Sequence, residues 1–319
     1  MSFYCMESIR TQVTTLQTYS SGWLNAIQRS QDGFRDDQYQ STTHSMRPNV
    51  PNTSKTFFDG ITYRKGFMVL RQLNYLIGDG NFFNGVKAYL NAFGFKNATA
   101  DDFLNSMSPY FKPNVADYTI NFWRDTWLLA PSFNVLSVEW DPNSTSTTAE
   151  LKINQRAYSQ SYPTLRYHKV IVSFIRANGT VTNKVVVIDD SPQTIVTYNG
   201  NDGYQAILVN SDFYSYVKCE IDTFSLSYFI ANINKVGTPL RRMCIWFHLN
   251  EMVKDCTRKV LSHKDMILNN LPGEADDSVY DFVLSFLNTS TGSYLPSYQV
   301  SAARSSCFDF VLQQLTTIT

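Results

Sequence analysis

The strongest constraint on this chain is a change of hydrophobic period at Pro131 and a change back near Phe224. Before Pro131 the apolar residues recur at helical spacing. Val69, Leu70, Leu73, Leu76 and Ile77 share a face, and Gly78-Asp79-Gly80 stops that helix. Asn81 is placed to cap the next, where Phe82, Val86, Tyr89, Leu90 and Phe93 align before Gly94. Thr99 followed by Asp102 makes a capping-box start for a third helix through Phe103, Leu104 and Met107. A fourth, about residues 120–129, carries Phe122, Trp123 and Trp127. A polar, proline-containing connection runs between Gln31 and Ser54.

After Pro131 the period falls to two. Leu136 to Trp140 and Leu151 to Ile153 alternate. Lys169 to Ile175 and Lys184 to Ile188 flank Asn178-Gly179, a hairpin-turn signal. Ile195 to Tyr198, Gln205 to Val209 and Tyr216 to Ile221 add short strands, a spacing that predicts a β-sandwich. From Phe224 helices return. Leu240, Cys244, Phe247 and Val253 form one stripe, Val279, Phe282, Val283 and Phe286 another, and Phe308, Val311, Leu312 and Leu315 a last. Paired helices of this kind suit the opening of an α-solenoid. The expected class is multidomain α+β, divided at 1–130, 131–222 and 223–319.

Composition narrows the function classes. The 319 residues have a formal net charge of zero with dispersed charges, which argues against a nucleic-acid partner or a basic membrane-facing stripe. No apolar run is long enough to span a bilayer, and the first ten residues do not read as a signal peptide. Cys5, Cys219, Cys244, Cys256 and Cys307 lack metal-ligand spacing and read as reduced thiols, hence a cytoplasmic expectation. The N-x-S/T triplets at Asn52, Asn97, Asn143, Asn178 and Asn288 read as chance in a chain this rich in those residues.

One stretch carries a chemical signal: Phe57-Phe58-Asp59-Gly60-Ile61-Thr62-Tyr63-Arg64-Lys65-Gly66, then Phe67-Met68-Val69-Leu70. It sets a tyrosine between two glycines at the head of a helix. It resembles the segment bearing the catalytic tyrosine of the aminopeptidase N family of zinc metallopeptidases, which includes membrane alanyl and puromycin-sensitive aminopeptidases. Further segments are similar in the same order: Arg35-Asp36-Asp37-Gln38, Ser41-Thr42-Thr43-His44, Phe83 to Leu90, Lys96 to Phe103, Phe122 to Trp127 and Ile207 to Asp212. The resemblance implies the helical C-terminal half of a thermolysin-like catalytic domain, then a β-sandwich, then the start of a HEAT/armadillo-like solenoid. It implies that Tyr63 is catalytic, its hydroxyl donating to the oxyanion formed when a zinc-bound water attacks a peptide carbonyl. A phenol suits that task as a hydrogen-bond donor, and such a preorganised donor is worth about 3–4 kcal/mol. The alternative is an ordinary half-buried tyrosine among 19.

The rest of that family's machinery is missing. Its zinc site needs HExxH and a later glutamate, and no HExxH occurs among the four histidines, His44, His168, His248 and His263. The family's Gly-x-Met-Glu-Asn element is absent as well. His248 and Glu251, three apart, read as a surface pair. Trp23-Leu24-Asn25-Ala26 is similar to the run that bears the third ligand, but Ala26 cannot ligate; Glu7 is better placed along the chain without matching neighbours. Arg64 and Lys65 could clamp a carboxylate, but read as solvated charges in a first helical turn. His44 reads as a structural residue in a polar loop. No residue of this chain is therefore expected to bind a metal or cofactor. The expectation is a fragment of a zinc aminopeptidase acting on peptides, inactive alone, with the missing N-terminal half as a partner. The alternatives are a non-catalytic pseudo-peptidase scaffold and, on fold analogy only, a carbohydrate-binding sandwich.

Overall fold

A computed structural model describes residues 22–47, 59–113 and 117–317. Glu7, Asn52, Phe57 and Phe58 lie outside them, as does the side chain of Leu315. The described chain is a mixture of helix and sheet, helical to residue 129, stranded from 134 to 219, and helical again from 223.

The first helix, α1 (Gly22–Asp37), runs through part of the stretch expected to be a connection. It buries Leu24, Ala26, Ile27, Ser30 and Phe34 along one face, which outweighs its polar composition. A π-helical turn (Ile61–Lys65) then leads into α2 (Gly66–Ile77). Helix α3 (Asp79–Phe93) starts two residues before Asn81, which therefore does not cap it; the Asn81 amide donates back to the Ile77 carbonyl. Of the apolar set expected on that helix only Phe82 is fully buried, and Leu90 is exposed. Helix α4 (Ala100–Met107) has the capping box read from Thr99 and Asp102. Helix α5 (Ile120–Trp123) passes directly into a second π-helical turn, Arg124–Leu129.

The strands are β1 (Asn134–Glu139), β2 (Ala149–Ala157), β3 (His168–Arg176), β4 (Val181–Ile188), β5 (Gln193–Tyr198), β6 (Tyr204–Val209) and β7 (Val217–Cys219). They form a four-stranded sheet in the order β5-β2-β1-β7 and a three-stranded sheet in the order β4-β3-β6. Among the described strands only the β1–β7 pairing is parallel. Gly179, at φ 84°, makes the β3–β4 turn, where a side chain would be strained. Leu136, Leu151 and Val217 of the first sheet join Val172, Phe174 and Ile207 of the second in one apolar cluster.

Helices α6 (Thr223–Asn232), α7 (Pro239–Lys254), α8 (Val260–Asn270), α9 (Asp277–Ser293) and α10 (Ser297–Thr317) follow. Helix α7 is buried almost all round rather than along one stripe. The α9 stripe of Val279, Phe282, Val283 and Phe286 is buried as read. Helix α10 differs: Ala303 and Phe310 are buried, while Phe308, Val311 and Leu312 are exposed. The three stretches meet at Phe34. Its ring stacks on Tyr216 at 4.1 Å, meets Phe133 edge-on at 5.0 Å, and touches Phe247 of α7 at 5.3 Å.

Candidate active-site tyrosine and its supports

Tyr63 stands on the π-helical turn and is 40% exposed, unusually open for a residue flanked by buried Ile61 and Lys65. It borders two cavities. One, of about 490 Å³, is polar and lined by Asp32, Arg35, Asp36, Asp59, Gly60 and Arg64. The other, of about 300 Å³, is apolar, with Met46, Phe67, Leu70, Phe103, Trp123 and Leu128 in its wall. The phenol thus divides a charged pocket from a greasy one.

The turn exists because both of its ends are held. At its head, Gly60 lies so close to α1 that a Cβ there would sit 2.5 Å from the Asp32 carbonyl oxygen. That approach lets Asp36 accept the Gly60 amide at 2.8 Å. Asp59 accepts the Thr62 amide at 2.8 Å through its carboxylate and the Tyr63 amide at 3.3 Å through its carbonyl. These are the donors that a helix start otherwise leaves unsatisfied. Burial alone would raise the Asp59 carboxyl; the Thr62 amide and His44 outweigh it and hold it below its ordinary range.

At the tail, Lys65 is fully buried rather than solvated, which corrects both readings of it from sequence. Its ammonium donates at 2.9 Å to Asp37 Oδ2 and at 2.9 Å to the Ser132 carbonyl. Asp37 Oδ1 accepts Thr43 Oγ1 at 2.6 Å and the Ser132 amide at 3.2 Å. Burial pushes the Lys65 ammonium down, Asp37 pulls it up, and the neighbouring Arg166 guanidinium pushes it down again. A charge pair this dry persists only because its remaining hydrogen-bonding capacity is also met. The pair ties the turn to α1 and to the chain leading into β1.

The other residues weighed from the sequence are also built into the fold. His44 is not an isolated loop residue: its ring pairs with Asp59 at 2.5 Å. His248 and Glu251 are both buried, not a surface pair. His248 Nδ1 accepts the Cys219 amide, and Glu251 is bound by Lys218 at 2.9 Å and Lys254 at 2.6 Å. Trp23 stacks over the Arg71 guanidinium at 3.9 Å. Asp36, Asp37 and Asp59 were missed as site residues. The first two lie in a segment noted for its resemblance, and Asp59 sits four positions before the tyrosine, a spacing that reaches back over one helical turn.

Residues 1–128 match the family model for the peptidase family M1 domain. The chain is 27% identical to aminopeptidase N of Streptomyces lividans, over 77% of this chain and 29% of that protein. It is 35% identical to probable aminopeptidase 1 of Saccharolobus solfataricus, over 35% of this chain and 14% of that protein. It is 24% identical to tricorn protease-interacting factor F2 of Thermoplasma volcanium, over 90% of this chain and 34% of that protein. The likeness to peptidase family M1 is thus carried by residues 1–128, and two of these relatives are aminopeptidases by name. It spans about a third or less of the length of these relatives.

Peptidase family M1 is zinc-dependent, and a zinc site takes three or more converging donors. Among the described residues no three His, Cys, Asp or Glu side chains converge to hold a metal. The ring of His44, the histidine bonded to Asp59 at the head of the turn, is engaged by Asp59 and Ser45. The described residues do not make a zinc site.

Proposed function

We propose that this chain supplies the tyrosine side of an M1 aminopeptidase centre, with Tyr63 as the donor to the oxyanion of a peptide carbonyl. The observation that carries the reading is an exposed phenol fixed on a turn anchored at both ends, at the mouth of an open polar cavity. Preorganised donors of this sort contribute about 3–4 kcal/mol to the transition state. The substrates would be peptides with free N-termini. The sequence has no HExxH, so the metal ligands and general base would come from an M1 segment outside this chain, and the chain alone would be inactive. In this reading the first helices are the C-terminal half of a thermolysin-like domain, the two sheets a β-sandwich, and α6 to α10 the start of a solenoid. In this reading the setting is cytoplasmic, which scattered cysteines without metal-ligand spacing support.

The test is co-expression with an M1 segment that carries HExxH. Aminoacyl-anilide hydrolysis should appear, and Tyr63→Phe should lower kcat by about 10²–10³. Full activity in Tyr63→Phe would refute the role. One tightly held zinc in the isolated chain would refute the claim that it lacks the metal site.

A second reading, a non-catalytic scaffold, rests on the apolar groove between α9 and α10, lined by Leu284, Leu287, Phe308 and Val311. It requires the isolated chain to be monodisperse and silent toward hydrophobic dyes.

A further inference from the structure

Helix α10 turns apolar side chains outward. Ala303 and Phe310, seven residues apart, are buried against the rest of the chain. On the opposite side Phe308 is 63% exposed and Leu312 46%, with Val311 beside them at 41%. Single exposed apolar residues are ordinary, but three together on one stretch of helix make a patch that calls for a partner. The patch has a register. With Ala303 and Phe310 at the f position of a heptad, Ser301, Ser305, Phe308 and Leu312 fall at d, a, d and a, the seam of a two-stranded coil. Arg304 and Val311 then take g, and Asp309 takes e. Arg304 and Asp309 are both exposed, and among the described residues neither has an ion pair.

We propose that this face is an interface between two copies of the chain, joined in parallel along their α10 helices about a two-fold axis. Helices packed this way set the g flank of each against the e flank of the other, so that a g residue meets the e residue five positions further along its partner. Arg304 and Asp309 have that spacing. Each copy therefore offers both halves of the contact, and the symmetry makes the ion pair twice. An antiparallel pair would set like flanks together and bring Arg304 toward its own copy. The patch thus carries its own complement, one positive and one negative charge on either side of Phe308.

The groove between α9 and α10 lies on the Arg304 flank. Leu284 and Leu287 of α9 and Cys307 and Val311 of α10 wall a space of about 290 Å³. The e flank of the second copy closes that groove in the pair. The seam is short and has serine at two of its positions, whereas stable interfaces bury about 800 Å² per partner. The association is accordingly a weak one that concentration drives. It makes no use of Tyr63, so neither reading depends on the other.

The test is sedimentation equilibrium of the full chain at rising concentration. The average mass should climb from 36.5 kDa toward twice that value. Phe308→Glu should hold the chain at the monomer mass, because each copy would bring a carboxylate into the seam. Arg304→Glu alone and Asp309→Lys alone should each weaken association at least about tenfold, since like charges then face one another. The two substitutions in one chain exchange the charges and should restore association, which damage confined to α10 would not. A wild-type chain that stays monomeric overturns the proposal and leaves the face to a further helical segment or an unlike partner. Dimers indifferent to Phe308→Glu, or a double variant no better than the single ones, overturn it as well. All three side chains are exposed, so the variants should fold, and far-UV circular dichroism checks that they do.

Discussion

Mild acid should unfold this protein, and three histidines set the slope. His168, His248 and His263 are fully buried. Desolvation, aided by Arg166, pushes the His168 imidazole down to about 3. Desolvation does the same to His248, against the pull of Glu251 and with the push of Lys218, and it again dominates at His263, beside Arg258. All three end at about 3, against an ordinary value of 6.5. The folded pKa lies below the unfolded one, so between pH 3 and 6.5 the unfolded chain binds more protons and stability falls as pH falls. Each pH unit costs about 1.4 kcal/mol per group, so at pH 5 each histidine removes about 2 kcal/mol and the three about 6. That is comparable to the whole stability of a typical domain, about 5–15 kcal/mol. The assay is urea unfolding at intervals from pH 7 to 5, above the range in which carboxylates take up protons. Stability should fall with a slope approaching three protons. His263 allows a sharper check, because neither of its ring nitrogens has a hydrogen-bond partner. His263→Leu should lower the slope by one proton and raise stability at pH 7 by about 1–3 kcal/mol, the usual cost of an unmet buried polar group. A slope below one proton in the wild type, or an unchanged slope in His263→Leu, would show that these rings are not dry and neutral.

Lys65→Met should cost about 3–5 kcal/mol in urea unfolding, because it leaves the Asp37 carboxylate buried without its cation; Lys65→Met with Asp37→Leu should recover much of that loss. Gly179→Ala should destabilise the β3–β4 hairpin by more than 1 kcal/mol, since φ is 84° and the new Cβ would lie 2.2 Å from the Lys235 carbonyl oxygen; an unchanged melting temperature would refute the close approach. Gly85→Ala should loosen the packing of α3 on α4, because its Cβ would fall 2.3 Å from Met107 Sδ, and proteolysis between the two helices should quicken.

The sequence made some features plain and hid others for physical reasons. Periodicity is a statement about which faces are apolar, so it located the helix–strand–helix order, the capping box at Thr99 and the turn at Asn178-Gly179. It could not locate the end of α1, where polar Ser30 and Asp37 are buried by partners distant in sequence. It misjudged α10, where Phe308, Val311 and Leu312 sit at helical spacing but point outward. The role proposed for Tyr63 was read from the local motif that surrounds it. Its supports were not, because burial of Lys65 depends on Asp37 and Ser132, 28 and 67 residues away. No local pattern distinguishes a lysine sealed by such partners from one in water. Glu251 and His248 failed the same way, their partners being Lys218 and Cys219 of β7, about 30 residues away.

The junction at Phe34 has a practical and an evolutionary consequence. A ring from the first helix is wedged among Phe133 and Tyr216 of the stranded stretch and Phe247 of the last helices. Scissors applied near residue 130 or 222 would leave each piece with a torn aromatic surface. The stretches are therefore better compared to stones of an arch than to beads on a string: recombination could not shuffle one of them without reshaping the faces of the other two.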